Sequence, residues 1–275
     1  MMINRIKSNC RAIMIWYIKL LASISSALGF ISIFYNIEDK FSSNIAKIGV
    51  IILILILLII ISVFLAVRKD KKVIKCGDKE FIVKYGDIFE DKSPIKVISV
   101  NCCFDTVVNN TLIAKDTLHG LFINKYFENN IQELDNKISE SLLRNGYVSK
   151  NIITKVEGKK DRYPFGSIAE IKCGVSTYYL LALTEFDDNL NAQCTTKSYC
   201  VAINSLMEYY DKHSQGNEIS IPLIGTGRMS RLNKQKQFIL KTLVELIKMN
   251  DDKLKDKLNI IVNKNDKDKI SIAEL

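Results

Sequence analysis

The sequence has only two histidines, His119 and His213, and none of its seven cysteines stands in a C-x-x-C pair. A zinc site is therefore poorly supported, and no metal is expected. Cys10, Cys76, Cys102, Cys103, Cys173, Cys194 and Cys200 read instead as buried free thiols of a reducing compartment. No glycine lies in a G-x-x-x-x-G-K-[ST] run, which excludes a P-loop. A basic domain is missing as well, despite a net charge of +9. Of 39 Lys and Arg and 30 Asp and Glu, residues 1–75 hold 11 and 3, leaving 28 and 27 for residues 76–275. The surplus sits at the start of the chain, where it suits anionic lipid. The remaining residues show no basic face for nucleic acid, so no nucleic-acid partner is expected.

Long apolar runs are present. Ala12–Tyr35 is broken mainly by Lys19 and serines, and Val50–Ile61 reads "VIILILILLIII". A spanning helix needs ~20 mostly apolar residues. We expect two spans, over about 14–35 and 46–67, within a hairpin of residues 1–72. Trp16/Tyr17 and Phe34/Tyr35 suit the two interfaces, and Lys19 can snorkel. A cleaved signal peptide, with "SSA" at Ser25–Ala27 as its site, is the rival; the apolar run continues past Ala27 against it. Arg5, Lys7 and Arg11 precede the first span, and Arg68, Lys69, Lys71, Lys72 and Lys75 follow the second. The positive-inside rule then places both ends in the cytoplasm and the short loop outside.

Residues 73–275 change character. "KEFIVKYGD" and "IKVISVNCCF" read as strands, the second buried on both faces. Apolar residues recur at helical spacing from Thr117 to about Asn145, where "RNGY" supplies a stop. "AEIKC" and "TYYLLALTEF" read as a hairpin, Ser198–His213 as a helix, "EISIPLI" as a strand, Asn233–Met249 as a helix and "LNIIVN" as a last strand. Alternating strands and helices predict a layered α/β domain. In such sheets anions sit beyond strand C-termini, where backbone N–H groups converge. Gly225-Thr226-Gly227, in "ISIPLIGTGRMSR", occupies that kind of position; an ordinary strand-to-helix turn is the plain alternative. His119 reads as a structural histidine at a helix start or as a ligand contact, and His213 as surface.

Several pieces together resemble a macro domain, the ADP-ribose-binding three-layer α/β/α fold. Gly86-Asp87-Ile88 is followed by Asn101 at the end of "VISVN", and Pro222–Gly227 fits "P-x-x-G-T-G". "VNCCFDT", "DTLHGLFI", "RYPFGSIAEI" and "IPLIGTGRMSRL", behind two apolar spans, resemble the membrane-anchored macro-domain effector of the bacterial Thoeris anti-phage system. The resemblance implies a multi-pass protein of the bacterial cell membrane. Its signal would be an ADP-ribose conjugate of an amino acid, such as histidine, made from NAD by a TIR-domain enzyme. It would respond by homo-oligomerising and disrupting the bilayer, causing abortive infection. It also implies ligand-binding roles for Asp87, Ile88, Asn101, Phe104, Asp105, Leu118, His119, Gly120, Gly225, Thr226, Gly227 and Arg228. In that pattern Asp87 accepts from the adenine amino group, and the glycine turn with Arg228 or Arg231 holds the diphosphate. Asn101 and Asp105 lie at the distal ribose. Hydrolytic macro domains usually carry a second asparagine and a glycine run, where this chain has Cys102-Cys103-Phe104. The expectation is a binder without catalytic residues or cofactor. A membrane-anchored ADP-ribosyl hydrolase is the alternative, and a lipid scaffold with a degenerate pocket a third.

Overall fold

A computed structural model describes residues 2–34, 44–152, 155–187, 192–226, 235–255 and 257–275. The chain divides into two compact units, Met1–Lys72 with Asn265–Leu275, and Val73–Lys264. The sequence reading assigned residues 265–275 to the second unit. In the structure their buried side chains, Ile270, Ser271 and Ile272, belong to the helical one.

The helical unit contains α1 (Met2–Ser8), α2 (Cys10–Phe34) and α3 (Asn44–Val67), and α2 packs on α3. Cys10–Ile33 and Asn44–Val67, 24 residues each, are long and apolar enough to cross a membrane. At ~1.5 Å per residue each reaches beyond a ~30 Å hydrocarbon core. Leu58, Ser62 and Ala66, spaced four apart, form the buried stripe of α3, while Ile51, Leu57 and Ile60 stay exposed. The buried Ser62 hydroxyl is satisfied by donating to the Leu58 carbonyl at 2.6 Å.

The second unit is built on one sheet. Its strands are β1 (Lys71–Cys76), β2 (Lys79–Gly86), β3 (Ile95–Asn101), β6 (Ile168–Cys173), β7 (Ser176–Phe186), β9 (Ile219–Pro222) and β10 (Leu258–Asn263). Short pieces β4 (Lys150–Asn151), β5 (Asp161–Arg162) and β8 (Ala192–Gln193) complete the set. The order is β1-β2-β10-β9-β3-β7-β6, and β2, β10, β9, β3 and β7 run parallel. β6 pairs antiparallel with β7. β1 and β2 are joined by the two-residue turn Gly77-Asp78, a connection that only antiparallel strands permit. Exposed Lys71 and Lys75 blunt the β1 edge against further pairing.

Neighbouring residues of β7 point to opposite faces. Tyr178 meets Phe122 and Tyr126 of α4 (Leu118–Phe127), whereas Tyr179 meets Tyr209 of α6 (Thr196–His213). With α5 (Ile131–Arg144) beside α4, and α7 (Lys236–Lys248) beside α6, the unit has the three α/β/α layers expected. The helical pattern read from Thr117 to Asn145 is two helices. Asn130 breaks it, accepting the Glu133 amide at 3.3 Å as the N-cap of α5. Of the thiols, Cys76, Cys102, Cys103 and Cys194 are buried, but Cys173 and Cys200 are half-buried and Cys10 is exposed.

Candidate functional site

Because five strands run parallel, their C-terminal ends share one edge. Gly86 of β2 leads there to Asp87 and Ile88, Pro222 of β9 to Gly225 and Thr226, and Asn101 of β3 to Cys102–Asp105.

Asp87 is exposed and holds its own turn. Its Oδ1 accepts the Phe89 amide at 2.8 Å, and its carbonyl accepts the amides of Glu90 and Asp91. Its Oδ2 takes no hydrogen bond among the described residues. Ile88 is buried in the core that also holds Phe104 and Phe122. The turn between β2 and β3 is pinned through Asp91. Burial raises the Asp91 pKa, but bonds from Lys84, Ser220 and Ser93 outweigh it and hold it down at about 2.

After β3 the chain turns sharply. The Asn101 Oδ1 accepts the amides of Cys103 at 3.0 Å and Asp105 at 3.4 Å, and Phe104 sits at φ 51°. The Phe104 ring is buried and meets Tyr163 edge-on at 5.7 Å, so it serves the core. Asp105 is 1% exposed. Its Oδ2 pairs with Lys155 Nζ at 2.6 Å, and its Oδ1 accepts the Lys159 amide at 2.6 Å. The carboxylate expected at the ribose is thus spent on the segment Lys155–Lys159. Gly158 makes that docking possible. It has φ +80°, and a Cβ there would lie 2.2 Å from Asp105 Oδ1.

The loop that follows returns to α4. Thr117, the N-cap of α4, accepts the Gly120 amide at 3.1 Å. Gly120 lets its own loop pack closely, since a Cβ would meet the Ala114 carbonyl oxygen at 2.4 Å. Leu118 packs on the core beside it. His119 is buried; desolvation, with Lys159 adding to it, lowers its pKa to about 3, so it is neutral near pH 7. His213 is exposed, as expected, and stacks on Tyr209.

Gly225 has φ +82°, the left-handed geometry that favours glycine, and Thr226 Oγ1 donates to the Leu223 carbonyl at 3.0 Å. Gly227, Arg228 and Arg231 lie outside the described residues.

A cavity of about 190 Å³ opens at the ends of β3 and β7, lined by Asn101, Cys103, Lys155, Arg162, Glu185 and Asp187 among others. It unites Asn101 with charged residues that the sequence reading did not name. Arg162 and Glu185 pair at 3.1 Å. Arg162 lay in the quoted motif "RYPFGSIAEI" and Glu185 at the end of the quoted strand "TYYLLALTEF", without a functional role; Lys155 carries no local signal. Burial pushes the Cys102 and Cys103 thiols up, so neither is a thiolate at neutral pH. Among the described residues no group of three His, Cys, Asp or Glu side chains could hold a metal.

The site can be set beside known proteins. The family profile described as "Thoeris protein ThsA, Macro domain" matches residues 82–263. Thoeris protein ThsA of Bacillus amyloliquefaciens (strain Y2) is 29% identical over 202 residues, 71% of this chain and 66% of that protein, just under two thirds of its length. The Oceanobacillus iheyensis macrodomain with ADP has 10% identity and a TM-score of 0.49, covering 72% of this chain and 90% of that one. Thermosipho africanus DarTG in complex with ADP-ribose has 12% identity and a TM-score of 0.42, covering 70% and 44%. The profile match spans more than half of the sequence, from β2 through β10 and every loop of the edge just described, and the chain belongs to the Thoeris ThsA macro-domain family.

Proposed function

We propose that the chain is an anti-phage defence effector of the bacterial cell membrane. Its α/β unit senses an ADP-ribose-type nucleotide, an amino-acid conjugate such as histidine-ADP-ribose, made from NAD by a partner TIR-domain enzyme. The helical hairpin spans the bilayer with both termini in the cytoplasm. Occupied chains assemble and breach the membrane, causing abortive infection. One observation carries the reading: three strands of a parallel sheet end at one edge in Asp87, Gly225 and Asn101. Asp87 retains an acceptor oxygen for the adenine amino group. The turn at Gly225 and Thr226 would offer backbone to a diphosphate, and Gly227 and Arg228 follow it in the sequence. Asn101 faces the cavity where a distal ribose and its substituent fit.

Holding the ligand is favoured over hydrolysing it. Asp105 is committed to Lys155 and Lys159, the vicinal thiols are protonated, and His119 is neutral and buried. A general base needs a free, suitably poised group within reach of a water. The test is calorimetry of detergent-solubilised full-length protein with ADP-ribose and histidine-ADP-ribose, followed by chromatography of the recovered ligand. Saturable binding with intact ligand supports the sensor. Conversion to products would make the protein a hydrolase, and absence of binding would reject both.

A further inference from the structure

Residues 265–275 lie beyond the family match and belong to the helical unit. They do a specific job there. The start of α2, like any helix start, leaves backbone N–H groups without intrahelical partners. Asn9, immediately before α2, is the residue type that ordinarily caps such a turn. Its side chain is engaged elsewhere. Asn9 Nδ2 donates to the Arg5 carbonyl at 2.8 Å, and its Oδ1 accepts the Ser271 hydroxyl at 2.5 Å. The third amide of α2, Ala12, donates instead to Glu274 Oε1 at 2.7 Å. A carboxylate at that place also complements the helix dipole.

The segment is anchored along its length. Lys267 pairs with Asp70 at 2.5 Å, and Lys72 Nζ donates to the carbonyl oxygens of Ala273 and Leu275. Asn9, Ile270, Ser271 and Ile272 are all buried. The first turn of the first apolar helix is therefore closed by residues more than 260 positions away in sequence.

Those residues are covalently tied to the nucleotide edge. The segment follows Lys264, next to β10, whose last residue Asn263 is in register with Gly86, the residue before Asp87. The other link, between Lys72 and Val73, lies within β1, the neighbour of β2 on its other side. Both peptide links between the units thus lie in or beside the strands that flank β2.

We infer that Asn265–Leu275 is a coupling clasp: through Ser271 and Glu274 it makes the start of α2 answer to the ligand-binding edge of the sheet. Movement of the end of β10 is delivered to the Asn9–Ala12 turn through the clasp. A ligand biases such an element only by binding its two arrangements unequally. The inference rests on the nucleotide-sensing reading above.

The test uses full-length protein in anionic liposomes, with histidine-ADP-ribose as probe. Hydrogen–deuterium exchange at residues 10–14 is measured with dye release, for wild type, Ser271→Ala/Glu274→Ala and Glu274→Gln. In wild type, nucleotide binding should change exchange at residues 10–14. The double variant should bind with unchanged affinity, exchange roughly five-fold faster there without nucleotide, as loss of a cap predicts, and lose the dependence of dye release on nucleotide. Glu274→Gln keeps an acceptor and should behave as wild type. Unchanged exchange in the double variant, or full ligand-dependent release despite faster exchange, overturns the clasp. Binding to wild type without any exchange change at residues 10–14 also overturns it and leaves the sensor reading intact. An exchange response without dye release supports the clasp and rejects membrane disruption. Absence of binding rejects the sensor reading and the clasp with it.

Discussion

At Asp87 one carboxylate oxygen holds the Phe89 amide while the other takes no hydrogen bond among the described residues. Asp87→Asn separates the two roles. An amide oxygen can keep the turn, but the outward group then becomes a donor facing the adenine amino donor. We expect an unchanged melting temperature and binding weakened several-fold, the equivalent of roughly 0.5–1.5 kcal/mol; calorimetry beside a thermal melt checks it. His119 gives a pH signature. Unfolded, it titrates near the usual ~6.5; folded, burial holds it at about 3. Between these values the unfolded chain binds a proton that the folded chain does not. This contribution to stability is complete above pH ~6.5 and is lost progressively as pH falls toward 3. His119→Gln should flatten the fall in melting temperature between pH 7 and 5. A slope equal to wild type would mean that His119 is not buried neutral. Asp87, Asn101 and Gly225 were legible in the sequence because each sits in a short run with its neighbours. Asp105 was legible as a position and not as a role, since Lys155, its partner, lies fifty residues away with nothing local to mark it.

The strap Lys155–Lys159 shows the same limit for an element. It is held by a buried ion pair, by the Lys159 amide on Asp105 and by the closeness of Gly158. Lys155→Met leaves the Asp105 carboxylate buried without its cation, at a cost of about 3–5 kcal/mol. Adding Asp105→Asn removes the stranded charge, so the double variant should recover part of that loss in a denaturation series. Additive losses would mean that the two groups do not interact. Long, strongly patterned elements were readable: β3, β7, α6 and β10 follow their apolar patterns. β1 escaped because Lys71, Lys72 and Lys75 interrupt its apolar residues, so that no alternating pattern marks this edge strand. The stop between α4 and α5 escaped because Leu134, Ile138 and Leu142 continue the helical spacing across it, and only the cap at Asn130 marks the break.

For the whole molecule, the question is how a two-helix hairpin could breach a bilayer. Two helices cannot enclose a channel, and the spans as read from the sequence hold only Lys19 and Lys47, each near one end. On the proposed reading, activity at the membrane would therefore require several chains. The two apolar helices differ in what they leave open. α3 uses its small residues Ser62 and Ala66 in its buried stripe. α2 leaves Ala22, Ser25, Ser26 and Gly29 exposed, and a Cβ built on Gly29 meets nothing within 4 Å. Small residues at four-residue spacing let helices approach closely in lipid, where packing rather than hydrophobicity drives association. If α2 supplies the contact between chains, Ser26→Leu with Gly29→Leu should block it sterically while leaving the α/β unit untouched. The expected result is normal nucleotide binding by the solubilised protein, no ligand-dependent rise in mass by light scattering, and no ligand-dependent dye release from liposomes. Wild-type assembly and leakage in this variant would move the contact away from α2. A wild-type protein that binds nucleotide with the same mass and leakage either way would reduce the chain to an anchored binding module.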